Sequence, residues 1–92
     1  MCADIVNHEE EVISVGQLNQ QAKRLLENQF RGIAVLGEIS NLARPSSGHI
    51  YFTLKDEDGA IRCAMFRNQN SRLNFEPQNG DQCILKGQVS LY

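Results

Sequence analysis

The clearest alternation of apolar and polar positions lies at residues 49–55, His-Ile-Tyr-Phe-Thr-Leu-Lys. Because successive side chains of a strand point to opposite faces, Ile50, Phe52 and Leu54 share one face. The other face carries an imidazole, a phenol, a hydroxyl and an ammonium group. The pattern therefore predicts a strand with an apolar inner face and an aromatic, cationic outer face. The outer residues are His49, Tyr51, Thr53 and Lys55.

A helical period precedes this strand. Apolar residues recur at three- and four-residue steps after position 14, as they do on one face of a helix. Ser14, followed three residues later by Gln17, is the capping-box pattern of a helix start, and Gly32 is a plausible stop. The prediction is a flexible acidic tail over residues 1–13 and a helix over residues 15–29.

Three further stretches rich in β-branched and aliphatic residues predict strands. The first and the last contain Gly37 and Gly87, and an internal glycine is typical of a strand that bends or bulges. The polar residues 67–80 predict a short helix or turn followed by a loop, with Leu73 and Phe75 as apolar anchors. The four predicted strands cover residues 33–39, 49–55, 60–66 and 83–92.

An Asp-Gly turn joins the second and third predicted strands into a hairpin. A two-residue turn pairs Tyr51 with Phe66 and Lys55 with Arg62, whereas a four-residue turn shifts the pairs and keeps the same faces. A slip by one residue would turn the apolar set to water and is excluded. In the two-residue register, the opposed like charges of Lys55 and Arg62 destabilise the sheet, and they make more sense if an anion lies between them. The third strand turns Ile61, Cys63 and Met65 inward.

This order of elements is that of an OB-fold, a five-stranded Greek-key barrel. Four strands are predicted, so the fold class is mainly β with an N-terminal helix, an OB-fold lacking its fifth strand over residues 14–92. An open barrel leaves strands three and four with unpaired edges. We predict that the chain covers these edges as a homodimer by strand pairing or swapping, with the N-terminal segment as an alternative cover.

The distribution of charge along the chain is more informative than the net charge. The formal net charge of -2 of the 92 residues disfavours a nucleic-acid partner. Four acids and no bases, however, lie in the first thirteen residues. The remaining seven acids and nine bases leave residues 14–92 with a net charge of +2. A mildly basic domain is a weak pointer towards nucleic acid.

The three cysteines, Cys2, Cys63 and Cys83, form no CxxC pair and fit no zinc-ligand spacing. We expect reduced thiols in a cytoplasmic protein with no metal and no cofactor. No apolar run approaches the length of a membrane span, and no secretory signal pattern opens the chain, so no membrane partner is expected.

The outer face of strands two and three suits a single nucleic-acid strand. Bases stack on aromatic rings with about 1–3 kcal/mol each, and cations hold phosphates without reading sequence. The alternative is a solvated sheet face with ordinary loop arginines. The carboxylates at positions 56–58 are better explained by turn chemistry than by metal binding, and no catalytic constellation is present. The candidate nucleic-acid-binding residues are Arg44, His49, Tyr51, Lys55, Arg62, Phe66 and Arg67.

Three motifs then stand out together: GEISN at 37–41, SGH-x-YFTLKD at 47–56 and RCAMFR at 62–67. With these motifs the chain resembles the N-terminal part of the exodeoxyribonuclease VII large-subunit family, from about residue 13 to its end. The acidic tail lies outside the resemblance.

The resemblance implies an OB-fold that binds single-stranded DNA. It implies that a catalytic region outside this chain degrades such DNA to oligonucleotides without divalent metal, so the 92 residues alone are expected to be inactive. It also implies small subunits that assemble through the absent C-terminal part, and a role in DNA repair in the bacterial cytoplasm. An alternative is a protein-docking or assembly module with little affinity for nucleic acid, since a fold does not fix a function.

Overall fold

The structure, a computed structural model, describes residues 2–6 and 11–91. These residues fall into two compact units, of which the first contains the long helix and the residues after the last strand, and the second is Ile33–Gly87. In chain order the elements are α1 (Val15–Gln29), β1 (Ile33–Ala43), β2 (Ile50–Lys55), β3 (Ala60–Met65), α2 (Arg67–Asn70) and β4 (Gln82–Gly87).

Helix α1 begins and ends as the sequence predicts. The Ser14 hydroxyl accepts a hydrogen bond from the Gln17 backbone N–H at 3.0 Å. In return, the Ser14 N–H donates to the Gln17 side-chain oxygen at 2.9 Å. This reciprocal pair satisfies two backbone donors that a helix start leaves without partners. At the other end the Phe30 N–H donates to the Leu26 carbonyl.

The residues after β4 return to the end of α1. The Val89 N–H donates to the Phe30 carbonyl at 3.2 Å, and the Ser90 hydroxyl donates to the Glu27 carboxylate at 2.7 Å. The predicted strand over 83–92 is therefore too long: β4 ends at Gly87, and the Val89 backbone N–H bonds to Phe30 and not to a neighbouring strand. Position 92 lies outside the described residues.

The predicted acidic tail is only partly described. Residues 2–6 and 11–13 belong to no helix or strand. Residues 7–10 lie outside the described part of the chain, and the flexibility of the tail stays a prediction.

The second unit is one antiparallel sheet in the order β3-β2-β1-β4. Within the described residues the sheet does not close, and β3 and β4 are its two edges. The predicted class, a mainly β OB-fold without its closing strand, is confirmed.

Strand β1 is longer than predicted and runs through Ala43 into the expected loop. Its pairing with β2 becomes irregular between Ser40 and Ala43, where Asn41 has a positive φ of 52°. The Asn79 side-chain oxygen accepts the Leu42 N–H at 2.9 Å. The irregularity therefore lies after Gly37, and a side chain from the β3–β4 connector replaces the missing ladder partner.

The β2–β3 hairpin has the four-residue turn, not the two-residue turn. Lys55 pairs with Ala60 and Tyr51 with Ala64, so the predicted Tyr51–Phe66 and Lys55–Arg62 pairs are wrong. Asp56 explains the choice, because its Oδ1 accepts the backbone N–H groups of residues 58 and 59 at 2.8 Å each. This carboxylate builds the turn, which confirms turn chemistry for Asp56.

The core forms on the inner face of the sheet. Ile39, Ile50, Phe52 and Leu54 are buried, as the alternation of β2 predicts. Two predicted apolar positions stay outside this core: Ile61, near the hairpin turn, is 45% exposed, and Phe75 is 56% exposed. Pro77 is buried in place of Phe75. The partly buried residues packed on the core are Val35, Leu42, Cys63, Met65, Cys83 and Leu85.

Candidate nucleic-acid interface

The outer face of the sheet follows from the strand pairing, because directly opposed residues share a face. Thr53 lies opposite Arg62 on one side and opposite Ser40 on the other. Lys55 lies between Ala60 and Glu38 in the same way. The outer face thus extends from β3 across β2 to β1.

An aromatic cluster occupies one end of this face. The rings of His49 and Phe66 meet edge to face with centroids 5.4 Å apart. The rings of His49 and Tyr51 have a similar geometry at 6.4 Å. His49 therefore contacts both aromatic rings that the sequence placed next to each other. Phe66 is exposed and Tyr51 half-buried, so both present ring surface on which a base can stack.

Arg67 is tied to this cluster through its backbone. Its N–H donates to Nδ1 of His49 at 3.0 Å. Its side-chain carbons lie against Gly48, where an added Cβ would stand 3.1 Å from Arg67 Cδ, and the φ of Gly48 is +87°. His49 and Arg67 line an open cleft together with Asn68 and Ser71. Loop, strand end and α2 thus meet at one place.

The middle of the face is cationic but partly neutralised. Lys55 Nζ lies 3.8 Å from the Glu38 carboxylate, and both side chains are about half exposed. Such a surface pair contributes little to stability. Arg62 is exposed on β3 beside it. The structure therefore places two predicted cations together with a carboxylate that the sequence pattern did not single out.

Arg44 lies apart from the strand face, in the loop after β1. Its Nη2 donates to the Pro77 carbonyl at 2.7 Å and lies 3.8 Å from the Glu76 carboxylate. These contacts hold Arg44 against the β3–β4 connector. Its role in phosphate binding remains a prediction.

Asn70 anchors the Pro-Ser-Ser-Gly loop and was missed by sequence reasoning. Its side-chain amide donates to the Gly48 carbonyl at 2.7 Å. No local pattern signals a contact across twenty-two residues. Glu38 was also missed, although antiparallel pairing of β1 with β2 would have placed it beside Lys55.

Two exposed aliphatic residues continue the outer face onto β4. Leu36 pairs with Ile84, and these side chains are 64% and 67% exposed. The outer face therefore carries exposed apolar side chains as well as the cations Lys55 and Arg62.

The cysteines of the sheet take no part in this surface. Burial raises the pKa of the Cys63 thiol and that of the Cys83 thiol. Both favour the unreactive protonated form. Within residues 2–6 and 11–91, no cluster of three or more potential ligands suits a metal ion. In the same residues no helix is long and apolar enough to cross a bilayer.

An open antiparallel Greek-key sheet with stacking rings and cations on its outer face defines an OB-fold domain of the nucleic-acid-binding class. The chain belongs to the family of OB-fold nucleic acid binding domains, which it matches over residues 13–92.

Its relatives include the exodeoxyribonuclease 7 large subunit of Pasteurella multocida, which is 54% identical over 83 residues, covering 90% of this chain and 19% of the relative. The large subunit of Pectobacterium atrosepticum is 53% identical over 81 residues, covering 88% of this chain and 18% of the relative. That of Klebsiella pneumoniae is 48% identical over the same shares. The resemblance found in the three motifs is confirmed, and the chain spans less than a fifth of these relatives' length.

Proposed function

We propose that this chain is the single-stranded DNA-binding domain of a bacterial exodeoxyribonuclease VII large subunit. The observation that carries the proposal is the aromatic cluster of His49, Tyr51 and Phe66 beside the cations Lys55 and Arg62 on one sheet face. Stacking surfaces next to phosphate-binding cations hold a single strand without reading its sequence.

In this proposal the domain holds the strand while a catalytic region outside these residues hydrolyses it, without divalent metal, to oligonucleotides. The 92-residue chain is then a binding domain and has no nuclease activity of its own. The whole protein works in DNA repair in the cytoplasm, with small subunits bound through its C-terminal part. The relatives' name, exodeoxyribonuclease 7 large subunit, supports only the assignment to the large subunit of a nuclease.

Fluorescence anisotropy with a labelled poly-dT oligonucleotide at low and moderate salt tests the binding function. We expect affinity to fall with salt, because bound cations release counterions from the phosphates. Tyr51→Ala should weaken binding by roughly 5- to 150-fold through lost stacking. Arg62→Ala should weaken it and lower the salt slope by about one. Phe30→Ala, at an exposed aromatic that ends α1, is the control.

If Tyr51→Ala and Arg62→Ala both bind like the unmodified chain, the outer face is not the binding surface. A monomer that binds no oligonucleotide would favour the docking-module alternative. The second candidate rests on the open edges of β3 and β4 and on the exposed pair Leu36 and Ile84. A homodimer that pairs or swaps these edges is its simplest form. Size-exclusion chromatography with light scattering on the same samples separates a dimer from a monomer.

A further inference from the structure

The tautomer of His49 follows from one hydrogen bond. The Arg67 backbone N–H donates to Nδ1 of His49 at 3.0 Å. A nitrogen that accepts a hydrogen bond carries no proton, and an imidazolium ring has no accepting nitrogen. While this hydrogen bond is made, the ring is neutral and its proton is on Nε2.

The ring is also fixed in direction. Tyr51 and Phe66 each meet it edge to face, and the Arg67 N–H holds its Nδ1 edge. Within the described ranges 2–6 and 11–91, Nε2 makes no hydrogen bond to the protein. His49 thus offers one oriented, uncharged N–H donor.

The exposed lining of the cleft beside this donor is mostly apolar, but it carries polar groups that can bind an anion. Besides His49 it is lined by Arg67, Asn68 and Ser71. The guanidinium of Arg67 brings a positive charge and several N–H donors, and its stem is held over Gly48. The Ser71 hydroxyl donates to the Asn68 carbonyl at 3.2 Å, which fixes its position on the cleft wall.

We propose that this cleft takes one backbone phosphate of the single strand, and that His49 binds a phosphate oxygen through its neutral Nε2–H. The proposal rests on the nucleic-acid-binding function above. The phosphate is that of a nucleotide whose base stacks on the exposed ring of Phe66. His49 then fixes position, and Arg67 supplies the charge.

The tautomer is tested directly, without DNA. A two-bond ¹H–¹⁵N correlation spectrum in mildly alkaline buffer shows which ring nitrogen carries the proton. A His8→Gln background leaves His49 as the single imidazole, since the sequence has two histidines. A proton on Nε2 supports the proposal, and a proton on Nδ1 overturns it.

Two substitutions separate the two nitrogens. His49→Asn keeps a carbonyl oxygen near the Nδ1 position for the Arg67 N–H and has no donor at Nε2. His49→Gln can place its amide near the Nε2 position and loses the Nδ1 acceptor. With poly-dT, we expect His49→Asn to bind roughly tenfold more weakly, because a hydrogen bond to a charged oxygen is lost. We expect His49→Gln to bind more tightly than His49→Asn.

The salt slope distinguishes a neutral donor from a cation. If His49 binds through a neutral N–H, His49→Asn should leave the slope unchanged, whereas Arg67→Gln should lower it by about one. A slope lowered by His49→Asn would mean a charged contact and would overturn the neutral-donor assignment.

An oligonucleotide of abasic sites identifies the ligand atom, since it keeps the phosphates and lacks the bases. A His49→Asn defect that persists on this probe supports a phosphate contact, and a defect that disappears shows that His49 contacts a base. If the unmodified chain binds poly-dT and His49→Asn binds equally well, only the phosphate site is wrong. If the unmodified chain binds no oligonucleotide, the proposed function fails and the phosphate site fails with it.

Discussion

Gly37 of β1 lies directly against the side chain of Leu54. A Cβ at position 37 would stand 2.7 Å from Leu54 Cγ and 3.1 Å from the Lys55 carbonyl oxygen. Leu54 is one of the four buried core residues, and its side chain fills the space that the glycine leaves open. The internal glycine of β1 is thus required by close packing between β1 and β2.

Gly37→Ala should destabilise the sheet by about 1–3 kcal/mol, because Leu54 must leave its packed position. Urea unfolding followed by circular dichroism measures this change. Gly87→Ala is the matched control, since Gly87 is also a strand glycine and has no atom within 4 Å of an added Cβ. Equal stability of the two variants would contradict the packing role of Gly37.

Asn79 replaces a ladder partner at the irregular end of β1. Asn79→Ala removes the acceptor of the Leu42 N–H and should cost about 1 kcal/mol of unfolding free energy. Amide exchange at Leu42 should become faster in the same variant. Asn74→Ala, an exposed asparagine of the same connector, is the control. Unchanged exchange at Leu42 in Asn79→Ala would show that the hydrogen bond does not protect this amide.

The local signals of the sequence predicted α1 and β2 well. The Ser14–Gln17 capping box acts within four residues, and the alternation around Phe52 encodes burial residue by residue. Such patterns depend on short-range geometry, so the predicted ends of these elements lie close to the observed ends. The sequence did not decide between the two-residue and the four-residue turn, because both keep Leu54 on the inner face. A side-chain contact of Asp56 decides between them.

Long-range contacts explain what the sequence could not predict. β1 continues to Ala43 because Asn79 lies beside it. After β4, the Val89 N–H bonds to Phe30 and the Ser90 hydroxyl to Glu27, at the end of α1, and not to a neighbouring strand. The candidate site shows the same limit. The alternation of side chains along a strand placed Tyr51 and Arg62 on the outer face. The contacts of His49 with two aromatic rings, however, depend on the loop before β2 and on α2.

The sheet thiols give the fold a pH dependence in alkaline solution. Burial raises the pKa of Cys63 and of Cys83, so the folded state favours the protonated thiols. Unfolded thiols titrate near a pKa of about 8.5. The stabilisation is therefore complete below that pH and is lost as the pH rises through the higher folded-state pKa.

Urea unfolding across the alkaline range should show this loss in the unmodified chain and a flatter profile in Cys63→Ser. Cys2→Ser is the control, because Cys2 is exposed. Other groups titrate equally in all three proteins, so only the difference between profiles matters. Parallel profiles for the unmodified chain and Cys63→Ser would contradict a thiol origin.

Glu38 opposes the proposed function of the face on which it lies. Its carboxylate pairs with Lys55 at 3.8 Å and would repel a phosphate bound there. Glu38→Gln should therefore tighten poly-dT binding by roughly two- to fivefold, the range of an exposed ion pair. It should also steepen the salt slope by about one, because Lys55 becomes available to a phosphate.

Glu57→Gln in the hairpin turn provides the control for Glu38→Gln, because it makes the same charge change outside the paired strands. If both substitutions tighten binding equally, the gain comes from net charge alone, since long-range attraction depends on total charge. A larger gain for Glu38→Gln, which disappears at high salt, would place the nucleic acid across β2 next to β1. The bound nucleic acid would then pass over Lys55 towards the aromatic cluster.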